Sequence, residues 1–255
     1  MIRIGTVPYL VAKPLTAGLA QNPEVRLEVA TPAELELSLR NGRLDVALAS
    51  SILALGPDPL SFWTGGPVVA SHGPVHSVQL FLRPGLEHPS GARTVLLDPH
   101  SRTGRGMARI LLKDFFGAAP LYADPPLGEC PFQSGADVVQ LIGDPALRAL
   151  VEQKDWQNVD LGETWLELTR LPFVYAGWVS RPGFDVEIAA PLLKEAAAFG
   201  LQQREKYIDE ALATLPLDAA FLRRYLYEDM RYILAGKKVR QALAGFESRL
   251  PLLVS

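Results

Sequence analysis

RLEVATPAELELSLRNGRLDVALASS, residues 26–51, is the stretch whose reading decides the fold. RLEVA reads as a strand. Thr31-Pro32-Ala33-Glu34 is a capping box, with Thr31 as N-cap, Pro32 at the first helical position and Glu34 at the third. Leu35 and Leu39 follow one turn apart, and Gly42 closes the helix in the left-handed conformation. LDVALAS is then a nearly all-apolar strand, as expected in a parallel sheet covered on both faces. It ends on the polar pair Ser50-Ser51, and the whole is a βαβ unit.

The same grammar runs outward in both directions. Upstream, MIRIGTVPYLVAKPL (1–15) begins with an alternating strand that Pro8 ends, because proline cannot donate to a central ladder. Lys13-Pro14 leads into LTAGLA, predicted to be a first helix with proline in its first turn. Open α/β sheets bind ligands at the carboxyl ends of such strands, which places Tyr9 and Val11 at a site. Downstream, HSVQLFLRP (76–84) is an alternating strand that crosses between lobes and RTVLLD (93–98) a buried one. PHSRTGRG (99–106) is a polar turn before the helical MARILLKDFFG (107–117). ADVVQLIGD (136–144) is another strand, PALRALVE (145–152) a short helix and DLGETWLELT (160–169) an amphipathic one. LPFVYAGWVSRP (171–182) is an apolar strand that returns to the first lobe.

The last third is helical, with Leu222, Leu226, Met230 and Ile233 spaced 4, 4 and 3 along one face. GLEHPSGA (85–92) is the linker candidate. The expected architecture is α/β and two-lobed, with residues 1–84 plus 178–255 forming one discontinuous lobe, residues 85–177 the other, and a cleft between them that suits a small polar ligand trapped by hinge closure.

Composition limits the function. The 255 residues are 48% hydrophobic and 21% charged, an ordinary globular balance. A formal net charge of -3 gives no footprint for nucleic acid. Cys130 is the single cysteine, so no internal disulfide forms. No apolar run approaches the ~20 residues that span a bilayer, and the N-terminus reads as strand rather than export signal, so the expectation is a cytoplasmic protein with no membrane partner. There is no GxGxxG after a strand and no GxxxxGK[ST]. His72 and His76 flank Gly73-Pro74 and share no helical face, so no metal site is expected.

Ser101, Arg102, Thr103 and Gly104 lie between a buried strand and a helix. Free N–H groups, two hydroxyls and the positive end of the helix dipole suit a carboxylate or phosphate; plain N-capping by Ser101 or Thr103 is the competing reading. Arg102 and Arg105 either add charge there or face solvent. Ser50, Ser77 and Asp144 fall at comparable strand ends, where turn chemistry, and for Asp144 helix capping, is the alternative. Trp165 and Trp178 read as core or lobe-interface aromatics.

Taken together, RIGTVPYLVAKPL, GRLDVALASS, GPVHSVQLF, SRTGRGMARILL, LIGDPAL and DLGETWLELTRLPFVYAGWV resemble the menaquinone-biosynthesis proteins of the futalosine pathway, the MqnA/MqnD family. The resemblance runs to about residue 180 and is weak in the helical tail. It implies the two-lobed type II periplasmic-binding-protein fold. Lyases of this family carry His-Glu where this chain has Gly143-Asp144, so the resemblance favours the other activity, chorismate dehydratase. It then implies loss of water from chorismate to give 3-[(1-carboxyvinyl)oxy]benzoate, with no cofactor because aromatisation drives the step. The Ser101–Gly104 turn would hold one carboxylate, and Ser50 and Ser77 would donate further hydrogen bonds. At the loop after the first strand these dehydratases usually carry an Asn implicated in the elimination. This chain has Val11, which neither bonds nor transfers a proton. Gly104 stands where the family often has Ser, and Leu48 where some members have Asn. The resemblance therefore leaves the catalytic group unassigned. A non-catalytic cytoplasmic protein that binds a small aromatic carboxylate is the alternative.

Overall fold

A computed structural model describes residues 1–250. Strands β1 (Ile2–Thr6), β2 (Val25–Val29), β3 (Val46–Ser50), β4 (Ser61–Phe62) and β5 (Val68–Ser71) are joined by β11 (Phe173–Ser180) and β12 (Met230–Arg231) in a seven-stranded sheet. Its order is β12-β5-β11-β3-β1-β2, with β4 on β11. Strands β6 (Val78–Leu82), β7 (Thr94–Leu97), β8 (Leu121–Ala123), β9 (Val138–Ile142) and β10 (Gln157–Asp160) form a second sheet in the order β10-β6-β9-β7-β8. The helices are α1 (Lys13–Thr16), α2 (Pro32–Arg40), α3 (Arg102–Ile110), α4 (Gly143–Glu152), α5 (Leu161–Thr169), α6 (Ala190–Gln202), α7 (Arg204–Leu212), α8 (Ala219–Arg224) and α9 (Gly236–Glu247).

The opening motif folds as its chemistry dictates. Thr31 accepts from the Glu34 N–H while the Glu34 carboxylate takes the Thr31 N–H, closing the capping box at α2. β1 pairs in parallel with β2 and β3, and Ile4 lies opposite both Leu27 and Val46. β11 then runs antiparallel between β3 and β5, so the sheet is mixed. Trp165 and Trp178 are wholly buried in the core.

Several expectations need correction. The first helix is only Lys13–Thr16, because the chain turns at Gly18 in the left-handed region (φ 76°). In the last third, α8 continues as a π-turn only to Asp229, and Met230 enters β12. Met230 is buried there while Ile233 is exposed, so the four residues are not one helical face. The 85–92 segment joins β6 to β7 within the second sheet and links no lobes. β6 belongs wholly to the second sheet and β11 wholly to the first. The sheets therefore divide at 72–77 and across α5, not at 84/85 and 177/178. Strand periodicity marks a strand but not the sheet it joins.

Among the described residues no helix is long and apolar enough to cross a membrane.

Two carboxylates pin the loops below the sheets. Asp45 accepts from Arg3 Nη2 at 2.6 Å and Arg181 Nε at 2.9 Å, and hydrogen bonds from Arg3 above all hold its carboxyl well below the usual range. Burial opposes ionisation of Asp137, but Arg83 and the N–H groups of Arg93 and Thr94 outweigh it and bring the carboxyl down to about 2. Groups whose pKa is depressed by folding stabilise above the unfolded value, 3.8, and lose that contribution as pH falls through the folded one. Burial raises Asp98 and Asp144, so their effect has the opposite sign and lies above 3.8. The melting temperature is therefore expected to fall between about pH 4 and pH 2. Asp137→Asn should start lower at neutral pH and show a shallower acid slope, which differential scanning fluorimetry across pH will test.

Candidate functional site

Strand ends from both lobes converge on one cavity of about 80 Å3. From the first lobe come Tyr9 and Val11 after β1, Ser50 at the end of β3, and Tyr175 on β11. Ser77, on the crossing into β6, joins Ser101, Thr103 and Gly104 at the start of α3 and Gly143 at the start of α4. No lining side chain is charged, and Val7, Leu48, Val69, Val75, Val78 and Ile142 make most of the wall.

The hydroxyls are already engaged, and this decides between the two readings at α3. Ser101 is the N-cap: its Oγ accepts the Gly104 N–H at 2.8 Å. Thr103 Oγ1 lies 2.9 Å from Ser50 Oγ and accepts the Ile52 N–H at 3.2 Å, so it ties the second lobe to the first. The N–H groups of Arg102 and Thr103, the first two of the helix, have no acceptor within the helix. Gly104 must be small here. A Cβ on it would lie 2.7 Å from Ser101 Oγ and 3.0 Å from Gln140 Nε2. Ser77 Oγ accepts from the buried Tyr225 hydroxyl at 2.9 Å.

Three residues considered for the site, Arg102, Arg105 and Asp144, lie outside the lining. Arg102 turns away to Glu36 at 2.5 and 2.7 Å, bridging the lobes at the cleft's rim, and Arg105 pairs with Asp124 at 2.7 Å. Neither guanidinium adds charge to the cavity. Asp144 does not cap α4, whose N-cap is Ile142. Its carboxylate reaches across the cleft to accept the Leu10 N–H at 3.0 Å, beside Val11. Burial, only partly offset by that bond, raises its pKa.

Tyr175 was not distinguishable in the sequence. It sits in an apolar strand run, but the register with β5 slips between Val174 and Ala176. Such a bulge re-aims one side chain, and Tyr175 lines the cleft with its hydroxyl 3.0 Å from Ser71 Oγ. Burial raises its pKa well above 10, with Asp160 adding to the effect. Tyr9 is pushed up to about 12 by burial first, then by the negative charges of Asp98 and Asp144. Both phenols therefore keep their protons and act as donors at neutral pH.

His76 lies outside this cavity, its Nε2 3.1 Å from Asp229, and no cluster of three or more potential metal ligands occurs among the described residues. Cys130 is exposed.

Two mixed sheets with helices and a cleft at the strand ends define the periplasmic-binding-protein-like class. A protein of Archaeoglobus fulgidus has this fold, with a TM-score of 0.72, 17% identity, and 97% and 96% of the two chains covered. The alkanesulfonate-binding protein of Xanthomonas axonopodis bound to MOPS also has it, at 0.65, 17% identity, 98% and 94%. A Candida albicans protein described as having the generic periplasmic binding protein fold matches at 0.64, 12% identity, 100% and 91%. Within that class the chain belongs to the menaquinone-biosynthesis family, whose model matches residues 2–251. It is 30% identical over 267 aligned positions to the chorismate dehydratase of Thermus thermophilus, covering 96% of each chain.

Proposed function

We propose that the protein is a chorismate dehydratase acting in the cytoplasm. It removes the ring hydroxyl of chorismate and the neighbouring ring proton as water, giving 3-[(1-carboxyvinyl)oxy]benzoate for the futalosine route to menaquinone. The observation that carries this reading is the convergence of Tyr9, Val11, Ser50, Ser77, Ser101, Thr103 and Gly104 on one interlobe cavity in a chain so similar to a chorismate dehydratase. The reaction needs no added reagent: the C–O and C–H bonds break, the ring becomes aromatic, and the two fragments leave as water.

The chain's part is to hold, orient and desolvate the substrate. The free N–H groups of Arg102 and Thr103 and the dipole of α3 face one carboxylate. Protonated Tyr9 is the donor suited to the departing hydroxyl, since its raised pKa keeps the proton in place; the Tyr175 proton goes to Ser71 Oγ, whose own goes to the Gly73 carbonyl. The apolar wall strengthens each of these contacts by excluding water. A cavity of about 80 Å3 is closed around room for a few waters, at ~10–15 Å3 for each. A ring enters as the lobes part and is clasped as they return.

Incubating the purified protein with chorismate and following the benzoate by ultraviolet absorbance tests the proposal; no turnover at any chorismate concentration defeats it. The second reading, a non-catalytic receptor for an aromatic carboxylate, is favoured by the uncharged lining and by Val11. Binding of chorismate without product would support it.

Val11 is buried in the tight turn Leu10–Ala12 and lines the cavity. On the dehydratase reading, Val11→Asn restores a group able to hydrogen-bond the substrate in nearly the same volume. Its kcat is expected to be equal to or up to about tenfold above that of the parent, the worth of one ordinary hydrogen bond. Collapse of kcat in a folded variant would mean the loop plays another part.

A further inference from the structure

We propose that the turn Asp160-Leu161-Gly162 is the positioning element of the cleft, with Asp160 the positioning residue that couples the two crossings between the lobes and fixes Ser77 and Tyr175. Asp160 ends β10, caps α5 and is largely buried. Its two oxygens divide their work. Oδ2 accepts the His76 N–H and Gln79 Nε2, both at 2.7 Å, on the first crossing. Oδ1 accepts the N–H groups of Gly162 and Glu163, at 2.9 and 3.0 Å, on the second. The Val75 N–H lies 3.1 Å from each oxygen. One carboxylate thus gathers donors from both chain segments that join the lobes.

What it holds is strained and aimed. His76 has φ 54°, unfavourable for a residue with a Cβ. That conformation turns the next residue, Ser77, into the cavity, where Tyr225 meets its hydroxyl. Strain of this kind persists only where the surroundings over-determine it. The His76 N–H on Asp160 and the His76 ring on Asp229 supply that constraint.

Gly162 completes the turn. A Cβ there would lie 2.6 Å from the Gly73 carbonyl oxygen, 2.6 Å from the Tyr175 hydroxyl and 2.9 Å from Ser71 Oγ. The Ser71 hydroxyl in turn donates to Gly73 O at 2.9 Å. The first crossing, the start of α5 and the bulged Tyr175 therefore interlock at one point. A movement of either crossing displaces both cleft hydroxyls together.

The division of labour gives a selective test. Asp160→Asn can keep its one carbonyl on the α5 cap but turns an NH2 toward two other donors. Hydrogen exchange of the His76 amide is expected to accelerate about 10- to 100-fold, the loss of a bond to a charged acceptor, while Gly162 and Glu163 stay protected, as does Val75 through the retained oxygen. Asp160→Ser, which keeps a capping oxygen and removes the second acceptor, should give the same pattern and covers the case in which the Asn variant fails to fold. Adding Gln79→Glu to Asp160→Asn supplies an acceptor for the new NH2 and should recover part of the melting temperature, while the His76 amide, still without its acceptor, stays fast. Equal acceleration at 162–163, or none at 76, overturns the proposal in favour of a simple helix cap.

The turnover arm alone rests on the chorismate reading. There KM is expected to rise about tenfold in Asp160→Asn, one lost hydrogen bond, and to recover partly with Gln79→Glu. An unchanged KM with only a lower melting temperature would also overturn the positioning role. If the parent shows no turnover, the functional reading fails and the exchange arm still decides this one.

Discussion

Gly143→Ala is expected to lower kcat/KM for chorismate by about 100-fold, or roughly 2.8 kcal/mol of transition-state stabilisation, and to lower the melting temperature by several degrees. Gly143 begins α4 with φ 63°, a conformation that disfavours any Cβ. Space is the larger obstacle. An added Cβ would lie 2.7 Å from Tyr9 Cδ1 and within 3.0 Å of two further atoms of that ring. The ring cannot retreat freely, because Tyr9 belongs to the loop whose next residue, Leu10, is bonded to Asp144. Nor can Gly143, whose N–H is fixed to the Ser77 carbonyl at 2.7 Å. The methyl group therefore drives the Tyr9 phenol out of place and disturbs Ser77 through the backbone. Parent-like steady-state kinetics in the folded variant would show that the Tyr9 ring contributes nothing to the reaction.

The same residues show where the sequence was legible. Strand–turn–helix grammar is local, so the capping box at Thr31 and the strand ending at Ser50 could be read from residues three or four apart, whereas the helix expected from 107 opens already at Arg102 behind its Ser101 cap. The cavity lined by Tyr9, Val11, Ser50, Thr103 and Gly104 lies at strand ends that this grammar marks, while Ser77 precedes β6 and sits at that strand's amino end. What each polar group bonds to is not local. Asp144 reads as a cap because a proline follows it, yet its partner is 134 positions away at Leu10. Arg102 reads as a cation for an anion site, yet Glu36, 66 positions away, claims it. Tyr175 was hidden because a bulge depends on the register of the facing strand. The helix expected after Pro14 ends at Thr16, and Gly18 turns the chain in the left-handed region. β6 is buried along its whole length, so its side chains carry no mark of which sheet it joins.

Thr103→Val should separate the two lobes energetically while leaving each intact. The threonine hydroxyl is buried and serves two groups of the other lobe, Ser50 Oγ at 2.9 Å and the Ile52 N–H at 3.2 Å. Valine keeps the shape and removes the acceptor. Each polar group left buried without a partner costs about 1–3 kcal/mol, which for a chain of this length corresponds to a fall of about 5 °C in melting temperature. Water can reach the freed groups only when the lobes part, so the loss favours the open arrangement over the closed one. Ligand affinity should fall by about tenfold or more, since one kcal/mol and a half of closure is a factor of ten in binding. Thr103→Ser, which keeps Oγ and loses only a methyl, should recover most of both losses. Small-angle scattering adds a readout that simple destabilisation would not move: the Val variant should show a larger radius of gyration at a temperature where it remains fully folded. If Val and Ser variants weaken binding equally, the methyl and not the hydroxyl matters, and the contact between Ser50 and Thr103 is packing rather than a latch.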